Sequence, residues 1–414
     1  MAGITGICGV VIDGFSSAQK MNGTSPALNK DAKPPDDMDV WILAGQSNMQ
    51  GFARLPDESP SHPCVWNYSM QGRWELACDP LHRLWESRMR VHSSLMRAAG
   101  QGEGKTNEQM AQEEDRTRRI GVGPGLAFGV ALNEATGRSV GLLPCAHGGT
   151  SLELWSPHRK SMGDASLYGA MIETVRACAR PIQGVLWYQG ESDCVPDLAD
   201  TYAVRLEEFI RELRKDLGEP DLPFIAVQLG RVVDAALNQP DHCWDTVRDA
   251  LGKLPGRVPR SAVTSAVDLS LDDAIHLDTR SQKRLGVRLA ALAAQFARGQ
   301  EPRTPRLVSA VKRVDPDGRC EIVMDFDNVE GGWKEGSDIP GFVLYRLGQS
   351  GFASTQIARA RSEGSGGRIH ALLTNCPDEP LAIAYGIGKN PVCRLVDHKD
   401  RPLCAFMPVA VSQG

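Results

Sequence analysis

Four clusters in this chain hold residues able to carry out acyl-transfer chemistry. In Gly45-Gln46-Ser47-Asn48-Met49 a serine follows the apolar run Val40 to Ala44 and a glycine that frees the turn. A hydroxyl at the carboxyl end of a buried strand is placed to act as a nucleophile once a base takes its proton. That base is offered by Asp273-Ala274-Ile275-His276. At this spacing the carboxylate can hold the imidazole Nδ1–H and leave Nε2 facing a serine. Between them, Pro144-Cys145-Ala146-His147-Gly148-Gly149-Thr150 and Gln189-Gly190-Glu191-Ser192-Asp193 supply donors. Bare amides at Gly148 and Gly149 and the side-chain amide of Gln189 suit an oxyanion hole, while Glu191 suits orienting a neighbour or binding substrate. Each cluster has a plainer reading, a capped turn or a tight glycine turn. Asp272 competes with Asp273 as the orienting carboxylate, and His147 is a rival base without a local carboxylate.

The elements that must position these clusters alternate regularly. Continuous apolar runs at 40–44, 140–143, 184–188, 224–228 and 262–267 read as strands buried on both faces. Helical spacing separates them, as in Leu126-Phe128-Val130-Leu132, Leu167-Met171-Val175 and Tyr202-Leu206-Phe209-Leu213. Alternation from 39 to 300 predicts an α/β domain with a central parallel sheet and helices on both faces. The glycines at 121–125 lack a Gly-Lys-Ser/Thr and a preceding strand, which argues against a phosphate loop. Residues 52–97, with Trp66, Trp74, His82, Trp85 and His92, read as a long loop whose aromatics could stack on sugars or anchor the core. The charged tract 100–119 reads as a mobile insertion and residues 1–38 as a flexible leader. Beyond Pro302 and Pro305, short alternating runs broken by Asp317-Gly318 and Gly331-Gly332 predict an antiparallel, sandwich-like β domain over 304–414.

Composition narrows the function further. Of 414 residues, 42% are hydrophobic and 23% charged, ordinary for a globular protein. A net charge of −5 gives no basic face for nucleic acid. No apolar run reaches the ~20 residues of a membrane-spanning helix, and Ile4 to Ile12 lacks the marks of a signal peptide. Eleven cysteines without a C-x-x-C pair argue against a zinc ribbon or redox dithiol.

The four motifs Gly45-Gln46-Ser47-Asn48-Met49, Gly148-Gly149-Thr150, Gln189-Gly190-Glu191-Ser192 and Asp273-x-x-His276 occur in order, each after an expected strand. Together they resemble the SGNH (GDSL-like) hydrolase superfamily, in its branch of sialate O-acetylesterase-like and carbohydrate esterase family 6 proteins. The resemblance implies a flavodoxin-like three-layer αβα fold and an acetylated carbohydrate as substrate, of acetylxylan or sialate type. It implies a Ser47–His276–Asp273 triad, favouring Asp273 over Asp272, and an oxyanion hole of the Ser47, Gly148 or Gly149 amides and Gln189. Gln189 stands where most of the superfamily has asparagine. Gln46, Asn48 and Glu191 are candidate substrate residues. No metal or organic cofactor is expected, and relatives of this kind are often secreted or periplasmic. The alternatives are a general short-chain esterase and a carbohydrate-binding protein with a vestigial site.

Overall fold

Strand β1 (Asp39–Gly45) is buried along its whole length and lies in the middle of a seven-stranded sheet. The computed structural model describes residues 33–57, 61–100, 104–106, 109, 120–233, 239–347 and 352–414. The leader up to residue 32 and most of the 100–119 tract lie outside them. In chain order follow β2 (Ala53–Arg54), β3 (Val65–Tyr68), β4 (Trp74–Leu76), β5 (Ile120–Val122) and β6 (Val140–Pro144). Then come β7 (Ile182–Tyr188), β8 (Phe224–Gln228) and β9 (Ser261–Ser265). The sheet order is β4-β3-β6-β1-β7-β8-β9, parallel throughout except for the antiparallel edge strand β4.

The chain fills one side of β1 with β3 and β6, then crosses to β7, β8 and β9 on the other. The carboxyl end of β1 is therefore a topological switch point, where open α/β sheets form their ligand crevice. Helices Gly125–Thr136 and Thr279–Ala297 pack on each other, as do Leu198–Leu217 and Asp241–Gly252.

Residues 52–97 are more ordered than a long loop. They contain β2, β3, β4 and the helix Arg90–Ala98, and Trp66, His82 and His92 are buried. Strand β3 escapes a periodicity reading because all four residues of Val65-Trp66-Asn67-Tyr68 are buried, the asparagine included. The glycine stretch 121–125 does have a strand leading into it: Gly121 and Val122 belong to β5, paired with β2, and Gly123-Pro124-Gly125 follow.

Past Thr304 the chain forms β10 (Arg306–Val314), β11 (Cys320–Asp327), β12 (Phe342–Arg346) and β13 (Ile357–Glu363). It continues with β14 (Arg368–Leu373), β15 (Leu381–Tyr385), β16 (Phe406–Ala410) and β17 (Ser412–Gln413). Five of these strands form one sheet, β13-β14-β11-β10-β17, and three another, β12-β15-β16. Ile322, Met324, Ile369, Ile383 and Tyr385 share a buried core there. Pairing is antiparallel except that β17 runs parallel to β10.

Buried polar groups join this β region to the large sheet. Gln228, at the end of β8, accepts from Ala405 N at 2.7 Å and donates to Ala405 O at 2.9 Å and Arg248 O at 2.9 Å. Arg288 grips Asp268 at 2.7 and 2.8 Å and reaches the Asp400 carboxylate at 3.2 Å. Removing one member of such a buried ion network leaves an unpaired charge and costs about 3–5 kcal/mol. Pro34–Gly414 forms one compact unit.

Candidate active site

Ser47 opens a one-turn helix, Ser47–Gln50, directly off β1 and is 6% exposed. Gly45 makes the turn possible. Its φ is +132°, and a Cβ there would lie 2.1 Å from Tyr188 O on β7. The next residue, Gln46, donates from its backbone to the same Tyr188 O at 2.8 Å, which pins the turn to β7. Its side-chain Oε1 accepts from Ser192 N at 3.3 Å and from the Gln189 amide at 3.3 Å. Gln46 thus spends its side-chain oxygen joining the turns after β1 and β7.

Asn48 joins the Ser47 turn to the histidine loop. Its Nδ2 donates to Ile275 O at 3.3 Å and to Glu191 Oε1 at 3.0 Å, while its Oδ1 accepts from Leu277 N at 3.0 Å. Both chain neighbours of His276 are therefore held by the residue that follows Ser47. At 1% exposure and outside the cleft wall, Asn48 is an internal brace rather than a substrate contact.

Within the loop, Asp273 Oδ2 lies 2.7 Å from His276 Nδ1. The other oxygen, Oδ1, accepts from Ile275 N at 2.8 Å and His276 N at 2.7 Å. Partial burial alone would raise the Asp273 carboxyl, but the His276 ring and these two amides hold it below its ordinary value. Asp272 points elsewhere: its carboxylate accepts from Arg54 N at 3.3 Å. The His276 ring stacks on Phe52, centroids 4.5 Å apart.

Ser47 and His276 face one cleft of about 470 Å³, together with His147, Gly148, Gly149 and Glu191. Apolar side chains, among them Phe52, Trp85, Met96 and Ile275, make up much of its wall. Of Trp66, Trp74, His82, Trp85 and His92, Trp85 is the one on its wall.

The donors divide. Gly148 N is engaged by Gln50 Oε1 at 2.7 Å, whereas Gly149 follows with φ +68° on the cleft wall. Gln189 is fully buried, lies outside the cleft wall, and directs its amide to Asp193 Oδ2 at 2.7 Å and Thr150 O at 3.0 Å. Both of its N–H groups are consumed within the protein. Gln189 braces the Gly149-Thr150 turn from behind instead of facing the cleft.

Glu191 is 3% exposed and its Oε2 has no protein partner. Burial pushes its carboxyl up, partly opposed by the Asn48 hydrogen bond. His147, the rival base, shares a 2.9 Å Nδ1···Nδ1 contact with His92. Burial lowers it to about 4, so it stays neutral and is a weak proton acceptor. Nothing in the sequence marks Phe52, Gln50 or Met96 as site residues; Phe52 meets His276 and Gln50 meets Gly148, both far along the chain.

Comparison with known proteins identifies the family. Residues 37–295 match the family described as carbohydrate esterase, sialic acid-specific acetylesterase. A probable carbohydrate esterase of Arabidopsis thaliana is 32% identical over 267 residues, 62% of this chain and 90% of that protein. The fold resembles the crystal structure of a carbohydrate acetylesterase from Xanthomonas citri, with a TM-score of 0.63 and 22% identity, covering 89% of this chain and 80% of that one. The chain belongs to the carbohydrate esterase family of sialic acid-specific acetylesterases and is a carboxylic ester hydrolase.

Proposed function

We propose that this protein is a serine esterase that removes O-acetyl groups from carbohydrate through an acetyl-enzyme. The observation that carries this reading is the Asp273–His276 pair, joined at 2.7 Å, with His276 on the wall of the same cleft as Ser47. Ser47 Oγ attacks the acetyl carbonyl while His276 Nε2 takes its proton. Asp273 holds the ring by Nδ1 and stabilises the imidazolium. The oxyanion of the tetrahedral intermediate is met by the Ser47 and Gly149 N–H groups. His276 then gives the proton to the departing sugar oxygen, and a water that loses its proton to His276 attacks the acetyl-enzyme, releasing acetate and returning the proton to Ser47 Oγ.

The character of the cleft favours an uncharged sugar over an anionic sialate. No lysine or arginine lines it among the described residues, and its one carboxyl, Glu191, is buried. A sialate carboxylate would gain no ion pair from those residues.

Hydrolysis of p-nitrophenyl acetate, butyrate and octanoate by the wild type and Ser47→Ala tests the mechanism. The expected result is activity falling with chain length and a loss of at least about 10⁴-fold in kcat for the variant. Equal activity of variant and wild type would remove Ser47 from the mechanism. A flat chain-length profile would favour a general esterase, and no activity at all a binding protein. Faster release of acetate from acetylated xylo-oligosaccharides than from O-acetylsialate is the outcome expected of the cleft chemistry.

A further inference from the structure

The loop that carries His276 receives support from outside the α/β part of the chain. Val233 N donates to Ala274 O at 2.8 Å, between Asp273 and His276. The residue before it, Val232, donates from its backbone N to Lys389 O at 2.9 Å, in the turn that follows β15. Arg248, 1% exposed, clamps the same junction. Its guanidinium donates to Leu229 O at 3.2 Å and Gly230 O at 2.6 Å on one side, and to Gly388 O and Lys389 O on the other. Gly388 N in turn donates to Asp245 Oδ1 at 2.8 Å. A guanidinium filling four backbone carbonyls fixes two segments against each other, since its fork has one geometry.

We infer that the Gly388–Lys389 turn of the C-terminal β region is a positioning element for catalysis, holding the Asp273–His276 loop through residues 230–233. This rests on the proposed role of His276. The β region is then part of the esterase machinery. Local bonds shape the loop, Asp273 Oδ1 with Ile275 N and His276 N and Asp272 N with His276 O at 2.8 Å, but they do not tie it to the sheet, and the Asp273 side chain is 56% exposed. A base that must meet a serine hydroxyl within a few tenths of an ångström needs its backbone fixed from outside.

Gly388 gives a way to disturb the turn without touching the cleft. Its φ is +87°, and an added Cβ would meet nothing closer than Asp241 Oδ2 at 3.5 Å, so a substitution acts through backbone conformation. In the full chain, Gly388→Val is expected to lower kcat for p-nitrophenyl acetate about ten-fold with KM changed less than two-fold. Gly388→Ala should fall between it and the wild type. The acid limb of the pH profile should shift in the valine variant, because the Asp273–His276 contact loosens. Hydrogen exchange at Val233 should accelerate at least ten-fold while the fold remains intact by circular dichroism. Ile322→Val, in the core of the β region away from the turn, controls for general destabilisation and should keep wild-type kcat. The proposal is overturned if a folded Gly388→Val keeps wild-type kcat, whatever its exchange, or if Ile322→Val loses as much activity. Full activity in His276→Ala would instead bring down the catalytic reading, and the positioning role with it.

Discussion

The two halves of the proposed catalytic pair are built differently. Ser47 sits at the end of the central strand, buried, in a turn whose neighbours Gln46, Asn48 and Gln50 all bond to other loops of the carboxyl edge. His276 lies beyond the edge strand β9 on an irregular loop, beside a carboxylate whose side chain is 56% exposed. The nucleophile is held by the sheet itself, through β1 and its pairing with β7. The base is held by side chains and backbone borrowed from elsewhere: Asn48, Phe52 and Val233. Topology can thus deliver one catalytic group outright, while the second depends on distributed contacts that each contribute a little.

This contrast can be tested from its weaker side. Asp273→Asn should give the largest effect. The amide can still accept from Ile275 N and His276 N, so the loop keeps its shape, but an N–H then faces Nδ1 and enforces the wrong tautomer. Steady-state kinetics should show kcat reduced by about 10²–10⁴-fold with thermal stability nearly unchanged. A loss under ten-fold would show that the exposed carboxylate contributes little.

Asn48→Ala comes next and strikes both halves at once. It removes the bonds to Ile275 O and Leu277 N and leaves Glu191 without its protein donor. The expectation is a ten- to hundred-fold fall in kcat, together with about 2–3 kcal/mol of stability measured by urea unfolding. If stability falls and kcat does not, the histidine loop is held without help from the Ser47 turn.

The smallest effect concerns the serine side. His147, just before the glycine turn, and its partner His92 are kept neutral by burial, His147 down to about 4 and His92 well below its ordinary value. The unfolded chain, with histidines near 6.5, binds more protons than the folded one between about pH 6.5 and 4. Their contribution to stability is therefore complete above pH 6.5 and declines as pH falls toward 4, by at most about 1.4 kcal/mol per pH unit for each histidine. His92→Phe should narrow the gap between the melting temperatures at pH 7 and pH 5. An unchanged gap would assign the acid sensitivity to other groups.

Much of this architecture was legible in the sequence, for a physical reason. Strands buried on both faces are written as unbroken apolar runs, so β1, β6, β7 and β8 could be read directly, and with them the turns at Ser47, Gly148 and Gln189. The Asp273–His276 contact is local, three residues apart, and needed no tertiary information. What could not be read was which polar side chains face the cleft. Gln46, Asn48 and Gln189 stand beside the expected chemistry, yet Asn48 meets Leu277 across 229 positions and Gln189 meets Gln46 across 143. Their partners are set by the closing of the sheet, and one chain in isolation carries no mark of that pairing. Strands β3 and β4 were missed because they are short and one has an asparagine in its buried register.

The joint at Gln228 also bears on the order in which the chain is made. Gln228 and Arg248 emerge from the ribosome long before Ala405 and Gly388, the partners that complete their hydrogen bonds. At about 5–20 residues per second, the nascent α/β part waits roughly 7–35 s with a buried-type amide and a guanidinium unsatisfied. Over that interval it is a near-complete sheet with an open seam, and the later-made segment between β15 and β16 closes it.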